Sequence, residues 1–276
     1  MKCSIAIIGG TGVYDAEMLQ NKDDFLVNTP FGEVTVLTGQ YQEKRIAFLA
    51  RHGSNHQIAP HRINYRANIW ALAELGAERI IGTAAVGSLN PDMHPGDFVL
   101  LDQFIDFTHA RVQTFFEGEG TFRVVGGPPG VFHVDVTHPY CDTLRNYLFA
   151  AGESRQLHLH KQGTYICTEG PRFETAAEIS MFRQIGGDLV GMTNVPEVIL
   201  AREMGLCYAA IAMVTNYAAG IAPHVLTHKE VTDIMEKQSE SLRTLLMQTI
   251  SALPEQRTGA CCVSEYADEV WRSWKK

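Results

Sequence analysis

Three times in this chain an apolar-periodic stretch runs into a single glycine and then into a short, almost uninterrupted apolar run. Pro60 to Leu75 stops at Gly76 before Arg79-Ile80-Ile81, Thr175 to Ile185 stops at Gly186 before Asp188-Leu189-Val190, and Pro196 to Met204 stops at Gly205 before Cys207 to Val214. Glycine is favoured just past a helix because positive φ costs it nothing. The runs that follow barely alternate, as strands covered on both faces do. The repetition predicts an α/β fold with a central, mixed, largely buried β-sheet flanked by helices.

Two further strands are expected, Ser4 to Ile8 and Ile46 to Ala50. Between about 98 and 135 the pattern changes to short β-like pieces separated by turns such as Gly126-Gly127-Pro128-Pro129-Gly130, which reads as a loop-rich excursion from the sheet. From Glu230 to about Ile250 the apolar residues Val231, Ile234, Met235, Leu242, Leu245 and Leu246 fit one long amphipathic helix. With no repeat or linker, residues 1–276 are expected to form a single domain, with 253–276 as a C-terminal tail. At 276 residues a core needs no disulfide or metal staple.

A net charge of −8 argues against a nucleic-acid backbone as main partner, a role that needs clustered Lys and Arg. The six cysteines form no C-x-x-C pair, which speaks against a zinc ribbon or a thioredoxin-like motif and for reduced thiols. The apolar start breaks at Gly9 and is too short for a signal peptide, and no stretch approaches the roughly 20 residues that span a bilayer. The expectation is a soluble, cytoplasmic protein.

The candidate chemistry sits at strand ends. Gly9-Gly10-Thr11-Gly12 closes the first strand, where consecutive N–H groups and a hydroxyl suit an oxyanion. No Gly-Lys-Ser/Thr follows, and Asp15 stands where a dinucleotide fingerprint has its third glycine, so a plain tight turn stays open. Arg51-His52-Gly53 ends another strand and makes an anion clamp. His52 and His56, like His224 and His228, have the i, i+4 spacing of a metal pair but lack further ligands. His158 and His160 read as solvent-facing. Small residues in Thr83 to Leu89 would let a ligand approach the backbone, or simply pack tightly. Glu174 fits a site or a helix cap, and Asn216 a site or a turn.

Together these segments resemble the trimeric nucleoside phosphorylase family that contains methylthioadenosine phosphorylases and 6-oxopurine nucleoside phosphorylases. The resemblance rests on Gly9 to Gly12; Arg51-His52-Gly53; Asn64-Tyr65-Arg66-Ala67-Asn68-Ile69; Thr83 to Leu89 with Pro95-Gly96-Asp97; Glu169-Gly170-Pro171-Arg172-Phe173; and Gly191-Met192-Thr193-Asn194-Val195-Pro196-Glu197. It implies a phosphate pocket of Thr11, Arg51, His52, Ala84, Ala85 and Thr193, with Met192 under the ribose and Phe173 against the base. It implies phosphorolysis of a nucleoside to free base and ribose 1-phosphate, with no metal or organic cofactor, in a homotrimer or a dimer of trimers. Asn216 and His52 are the expected catalytic residues.

Within that family, the methylthioadenosine branch resembled here carries Thr-Asp-Tyr-Asp where this chain has Thr215-Asn216-Tyr217-Ala218, and a small hydroxyl residue in place of Glu174. A 6-oxopurine offers an acceptor at O6 and a donor at N1–H. Asn216 can donate to O6 and accept N7–H of the leaving base, and ionised Glu174 can receive N1–H. Ala218 completes the base site. His228 stands where the 6-oxopurine branch meets the 5′-hydroxyl, although a structural place at the helix start stays open. The expectation is a purine nucleoside phosphorylase acting on inosine and guanosine in purine salvage. The alternatives are a 5′-methylthioinosine phosphorylase and a non-catalytic nucleoside- or phosphate-binding protein.

Overall fold

The computed structural model describes residues 2–10, 19–118, 131–221 and 228–257, without the side chains of residues 228 and 230. Thr11, Gly12, His224, Cys261, Cys262 and the glycine turn at 126–130 therefore lie outside the described residues, as does the His228 side chain.

Eleven strands form one mixed sheet: β1 Ile5–Gly9, β2 Gln20–Thr29, β3 Gly32–Tyr41, β4 Lys44–Ala50, β5 Arg79–Ser88, β6 Phe98–Leu100, β7 Gln103–Phe107, β8 Leu159–His160, β9 Thr164–Thr168, β10 Leu189–Gly191 and β11 Cys207–Tyr217. Five α-helices cover it: α1 Tyr65–Glu74, α2 Asp142–Ser154, α3 Ala176–Gln184, α4 Asn194–Glu203 and α5 His228–Ala252. The three helix-glycine-strand units thus become α1–β5, α3–β10 and α4–β11. The first is shorter than its pattern, because Asn64 accepts from the Ala67 amide and starts the helix afresh after a 3-10 turn at Pro60–Arg62.

Strand alternation divides the core. In β11, Tyr208, Ala210, Ala212 and Val214 face the α1/α4 layer, whereas Cys207, Ala209, Ile211 and Met213 face α2 and α5. All eight are buried, which is why the sequence reads as a continuous apolar run.

The strand that shapes the site is β5. Its whole length pairs in parallel with β11. Its other edge is shared by two strands from opposite ends: β1 runs parallel along Arg79 to Gly82, and β10 runs antiparallel along Gly87 and Ser88. Between them, residues 83–86 have no strand partner on that edge.

The stretch after residue 98 is the loop-rich excursion its pattern suggests, with β6 and β7 as its short β pieces. Past β7, residues 108–118 contain no strand. That segment is held by two carboxylates: the buried Glu203 accepts from Thr114 Oγ1 (2.6 Å) and the Phe115 amide (2.8 Å), and the half-buried Glu169 accepts from the His109 amide (2.6 Å). His160 is half-buried rather than solvent-facing, 2.8 Å from Asp97 Oδ2.

Burial raises the Glu203 carboxyl to about 7, against hydrogen bonds from Thr114 and Phe115 that favour its ionised form. A carboxyl raised on folding binds its proton more tightly in the native state, so stability is full below about pH 4.5 and declines as pH climbs toward 7. Glu203→Gln should flatten that decline, which amounts to about 3 kcal/mol at most, as read from unfolding midpoints across pH. Equal slopes in the two proteins would show that Glu203 does not set it.

Candidate active site

A cavity of about 440 Å³ opens on the unpartnered stretch of β5. The carbonyl of Thr83 turns to this edge, where it accepts from Arg51 Nη1 (2.9 Å). By the two-residue alternation of a strand, the peptide groups of Ala85 follow. Ala85 is also the one exposed residue of β5. At the Thr83 end Gly10 leaves β1, donating to Thr83 Oγ1 (3.2 Å). At the Gly87 end, Asn216, Val190 and Ala218 crowd within 3.5 Å of the space beside Gly87. The two ends are roughly 13 Å apart along the strand.

At the first end, Arg51 is 1% exposed and is clasped by Glu197 through two bonds of 2.7 Å, Nε to Oε2 and Nη2 to Oε1. Tyr208 donates its hydroxyl proton to Glu197 Oε1 (2.6 Å). Burial alone would lower the Arg51 pKa, but the Glu197 carboxylate more than offsets it and holds the cation charged. Gly82 makes this cluster possible, since a Cβ there would stand 2.2 Å from Tyr208 Oη. The Arg51 edge not facing Glu197 keeps N–H donors for a ligand.

His52 borders the same end. Its Nδ1 lies 2.8 Å from the Ile58 carbonyl, which can only accept, so Nδ1 carries the proton and Nε2 is an acceptor. Burial pushes the imidazole down to about 4, with the Arg51 charge adding to this and the Ile58 carbonyl opposing it. The His52 and His56 rings lie 4.6 Å apart, but no group of three metal-ligating side chains occurs among the described residues.

The opposite end is built by a β-bulge. The register of β11 on β5 slips between Val214 and Asn216, so the extra residue Thr215 re-aims Asn216, which lines the cavity. The Thr215 hydroxyl lies 2.7 Å from Asn216 Oδ1, and Asn216 Nδ2 donates to the Tyr217 carbonyl (2.9 Å). One amide hydrogen and one lone pair of Asn216 stay free for a ligand.

Glu174 faces the same cavity and does not cap α3. Thr175 takes that part in a reciprocal capping box with Glu178. Burial raises the Glu174 carboxyl, and the Thr168 hydroxyl, 2.7 Å away, works against that rise. Phe173, 47% exposed, Met192 and Thr193 complete the wall. Gly170, at φ +67°, lets the loop before Phe173 close on Met192, where a Cβ would meet Sδ at 2.5 Å.

The cavity thus gathers Arg51, His52, Ala84, Ala85, Thr193, Phe173, Glu174, Asn216, Ala218 and Met192. The sequence reading missed Glu197, Tyr208 and Arg111. An acid inside the apolar run Val195 to Leu200 was the available signal for Glu197. Arg111 carries none, lying in irregular chain.

The Arg111 guanidinium places all five N–H groups. Nη1 reaches Tyr65 Oη (3.1 Å) and the Val195 carbonyl (2.6 Å), Nη2 the carbonyls of Thr168 (3.1 Å) and Glu169 (2.8 Å), and Nε the Glu169 carboxylate (3.4 Å). Tyr65 passes the link on to the Pro60 carbonyl (3.1 Å). One cation therefore ties together the chain segments that lead to the cavity-lining residues Pro60, Pro171 and Thr193. Arg111→Met should cost about 3–5 kcal/mol by stranding these acceptors and the Glu169 carboxylate. Arg111→Lys, with three donors, should recover only part of it in thermal unfolding; full recovery by Lys would dismiss the fork geometry.

The sequence profile of the Phosphorylase superfamily matches residues 4–251. The chain is 54% identical to a 6-oxopurine nucleoside phosphorylase of Pyrococcus furiosus, over 93% of this chain and 96% of that one. It is 45% identical to an S-methyl-5′-thioadenosine phosphorylase of Thermofilum pendens, over 94% and 96%. A methylthioadenosine phosphorylase of Schistosoma mansoni, solved in complex with adenine, superposes with a TM-score of 0.87 at 32% identity, covering 99% of this chain and 96% of that one.

Proposed function

The chain belongs to the phosphorylase superfamily, and from that premise we infer that it is a purine nucleoside phosphorylase cleaving inosine and guanosine with orthophosphate. The observation that carries the choice of base is that Glu174 and Asn216 line the same cavity, with an unused donor and acceptor on the carboxamide. This pair complements the N1–H, O6 and N7 edge of a 6-oxopurine. Phe173 stacks on the ring and Ala218 leaves it room. Met192 packs under the ribose, and His228, whose side chain lies outside the described residues, meets the 5′-hydroxyl.

Orthophosphate sits at the Thr83 end. Arg51 and the Ala84-Ala85 backbone donate to it, with the hydroxyls of Thr193 and of Thr11, the latter outside the described residues. Neutral His52 accepts the remaining P–OH proton through Nε2. As the glycosidic bond lengthens, the sugar gains oxocarbenium character. The phosphate dianion stabilises that charge from one face and then captures C1′. Asn216 stabilises the departing purine at N7. Positioning and preorganised hydrogen bonds supply the acceleration, and no metal, organic cofactor or covalent enzyme intermediate is called for.

Residues 1–276 act as one domain, with 253–276 as a tail, in a cytoplasmic homotrimer or dimer of trimers serving purine salvage. No described helix is long and apolar enough to cross a membrane.

The test is phosphate-dependent release of free base from inosine, guanosine, adenosine and 5′-methylthioinosine. Inosine and guanosine should lead by kcat/KM. A lead for adenosine would overturn the base reading, and one for methylthioinosine would overturn the His228 reading. Binding of inosine without turnover would make the protein a receptor.

A further inference from the structure

Away from the cavity, at the opposite end of β5, lies a buried cation with no hydrogen-bond partner among the described residues. Arg79 opens β5 and is 5% exposed, yet its Nη1 is closed to solvent and has no hydrogen-bond partner. Its neighbour Glu78 pairs with Lys2 Nζ (2.7 Å) and also takes the backbone N–H of Arg257, so it acts on Arg79 only through space and makes no hydrogen bond to it. Leaving a guanidinium group buried and unpaired costs several kcal/mol.

The surroundings are suited to an anion. Arg79 borders a small cavity of about 20 Å³, and Arg257 borders it too. Arg257 is anchored by Nη1 on the Gly205 carbonyl (2.8 Å) and stands beside Cys207, the residue paired with Arg79 across the sheet. The first turn of α2 closes the other side with Thr143. It is set there by the Cys141 amide on the Tyr208 carbonyl (2.7 Å). The unsatisfied N–H groups and positive dipole end of this 13-residue helix add to the two arginines. Among the described residues no acidic side chain lines the cavity. The space is small, about 20 Å³, which favours a compact monatomic anion over a tetrahedral one.

We propose that Arg79, Arg257 and the N-terminus of α2 form a structural halide site, occupied by chloride, at the end of β5 remote from the nucleoside cavity. The ion neutralises Arg79 and ties β5 to α2 and to the chain after α5. It takes no part in the reaction.

Chloride should be titrated at constant ionic strength, with gluconate as the balancing anion, while the unfolding midpoint is followed. In the unsubstituted chain the midpoint should climb by a few degrees and saturate. Arg79→Met, which trades the cation for an apolar side chain of similar length, should remove the response and leave the midpoint at or above the chloride-free value. Crystals grown in bromide should show an anomalous peak between Arg79 and Arg257, weakened in Arg257→Gln. A midpoint indifferent to chloride, an equal response in Arg79→Met, or bromide crystals without the peak would each overturn the proposal.

Discussion

Glu197→Gln is expected to be the most destabilising single-atom-scale change in the active site. It leaves the fully buried Arg51 with an amide in place of its countercharge and sets an NH₂ group against its fork. Breaking a buried pair from one side costs about 3–5 kcal/mol, because the surviving ion stays buried. The Tyr208 hydroxyl loses its charged acceptor at the same time. In the proposed chemistry orthophosphate would then be the nearest anion to Arg51. Added phosphate should therefore raise the unfolding midpoint of the variant by more than it raises that of the unsubstituted protein. Phosphorolysis should fall, since Arg51 is no longer held in register. If phosphate stabilises the variant no more than it does the unsubstituted protein, Arg51 does not face the anion. Glu197→Asp, which keeps the charge but shortens the reach, should fall between the two.

Asn216→Asp should invert the choice of base. The new carboxylate offers no proton to O6 of hypoxanthine and stands in the same wall as Glu174. An unpaired buried acceptor costs about 1–3 kcal/mol, so inosine kcat/KM should drop on the order of a hundredfold. Adenosine, with an amino donor at C6, should gain relative to inosine by at least as much. Adding Glu174→Ser removes the N1–H acceptor and should deepen the inversion. The burial that raises the Glu174 carboxyl also makes pH informative. Its ionised form is the stronger acceptor for N1–H, so inosine binding should weaken as acid protonates Glu174, and adenosine binding should not follow it. Unchanged base selectivity in the double variant would remove both residues from the base site.

Much of this was legible in the sequence, for reasons visible in the structure. Strands buried on both faces write themselves as apolar runs, and Gly76, Gly186 and Gly205 mark where α1, α3 and α4 stop. The hairpin β2–β3 was not legible, because Gln20 to Thr29 is mostly exposed and polar and gives a strand pattern no contrast. Nor was α2, which follows irregular chain and whose first turn is fixed by long-range contacts such as Cys141 on Tyr208. In the site, residues at strand ends could be found because glycines and small side chains mark them. Glu197 and Arg111 act through partners 146 and 84 positions away, and no local pattern records such a distance.

The shared edge of β5 sets a ruler. Two strands approach from opposite ends and stop short, and the gap of roughly 15 Å is fixed by where each one terminates. Extending β10 by one pairing would trim the room left for a heterocycle, whereas extending β1 would trim the room left for the nucleophile. Side-chain changes retune what fits, but the length of molecule admitted is decided by main chain. With the ligands placed as proposed, a change of purine asks only for new side chains, whereas a longer substrate would demand re-pairing the sheet.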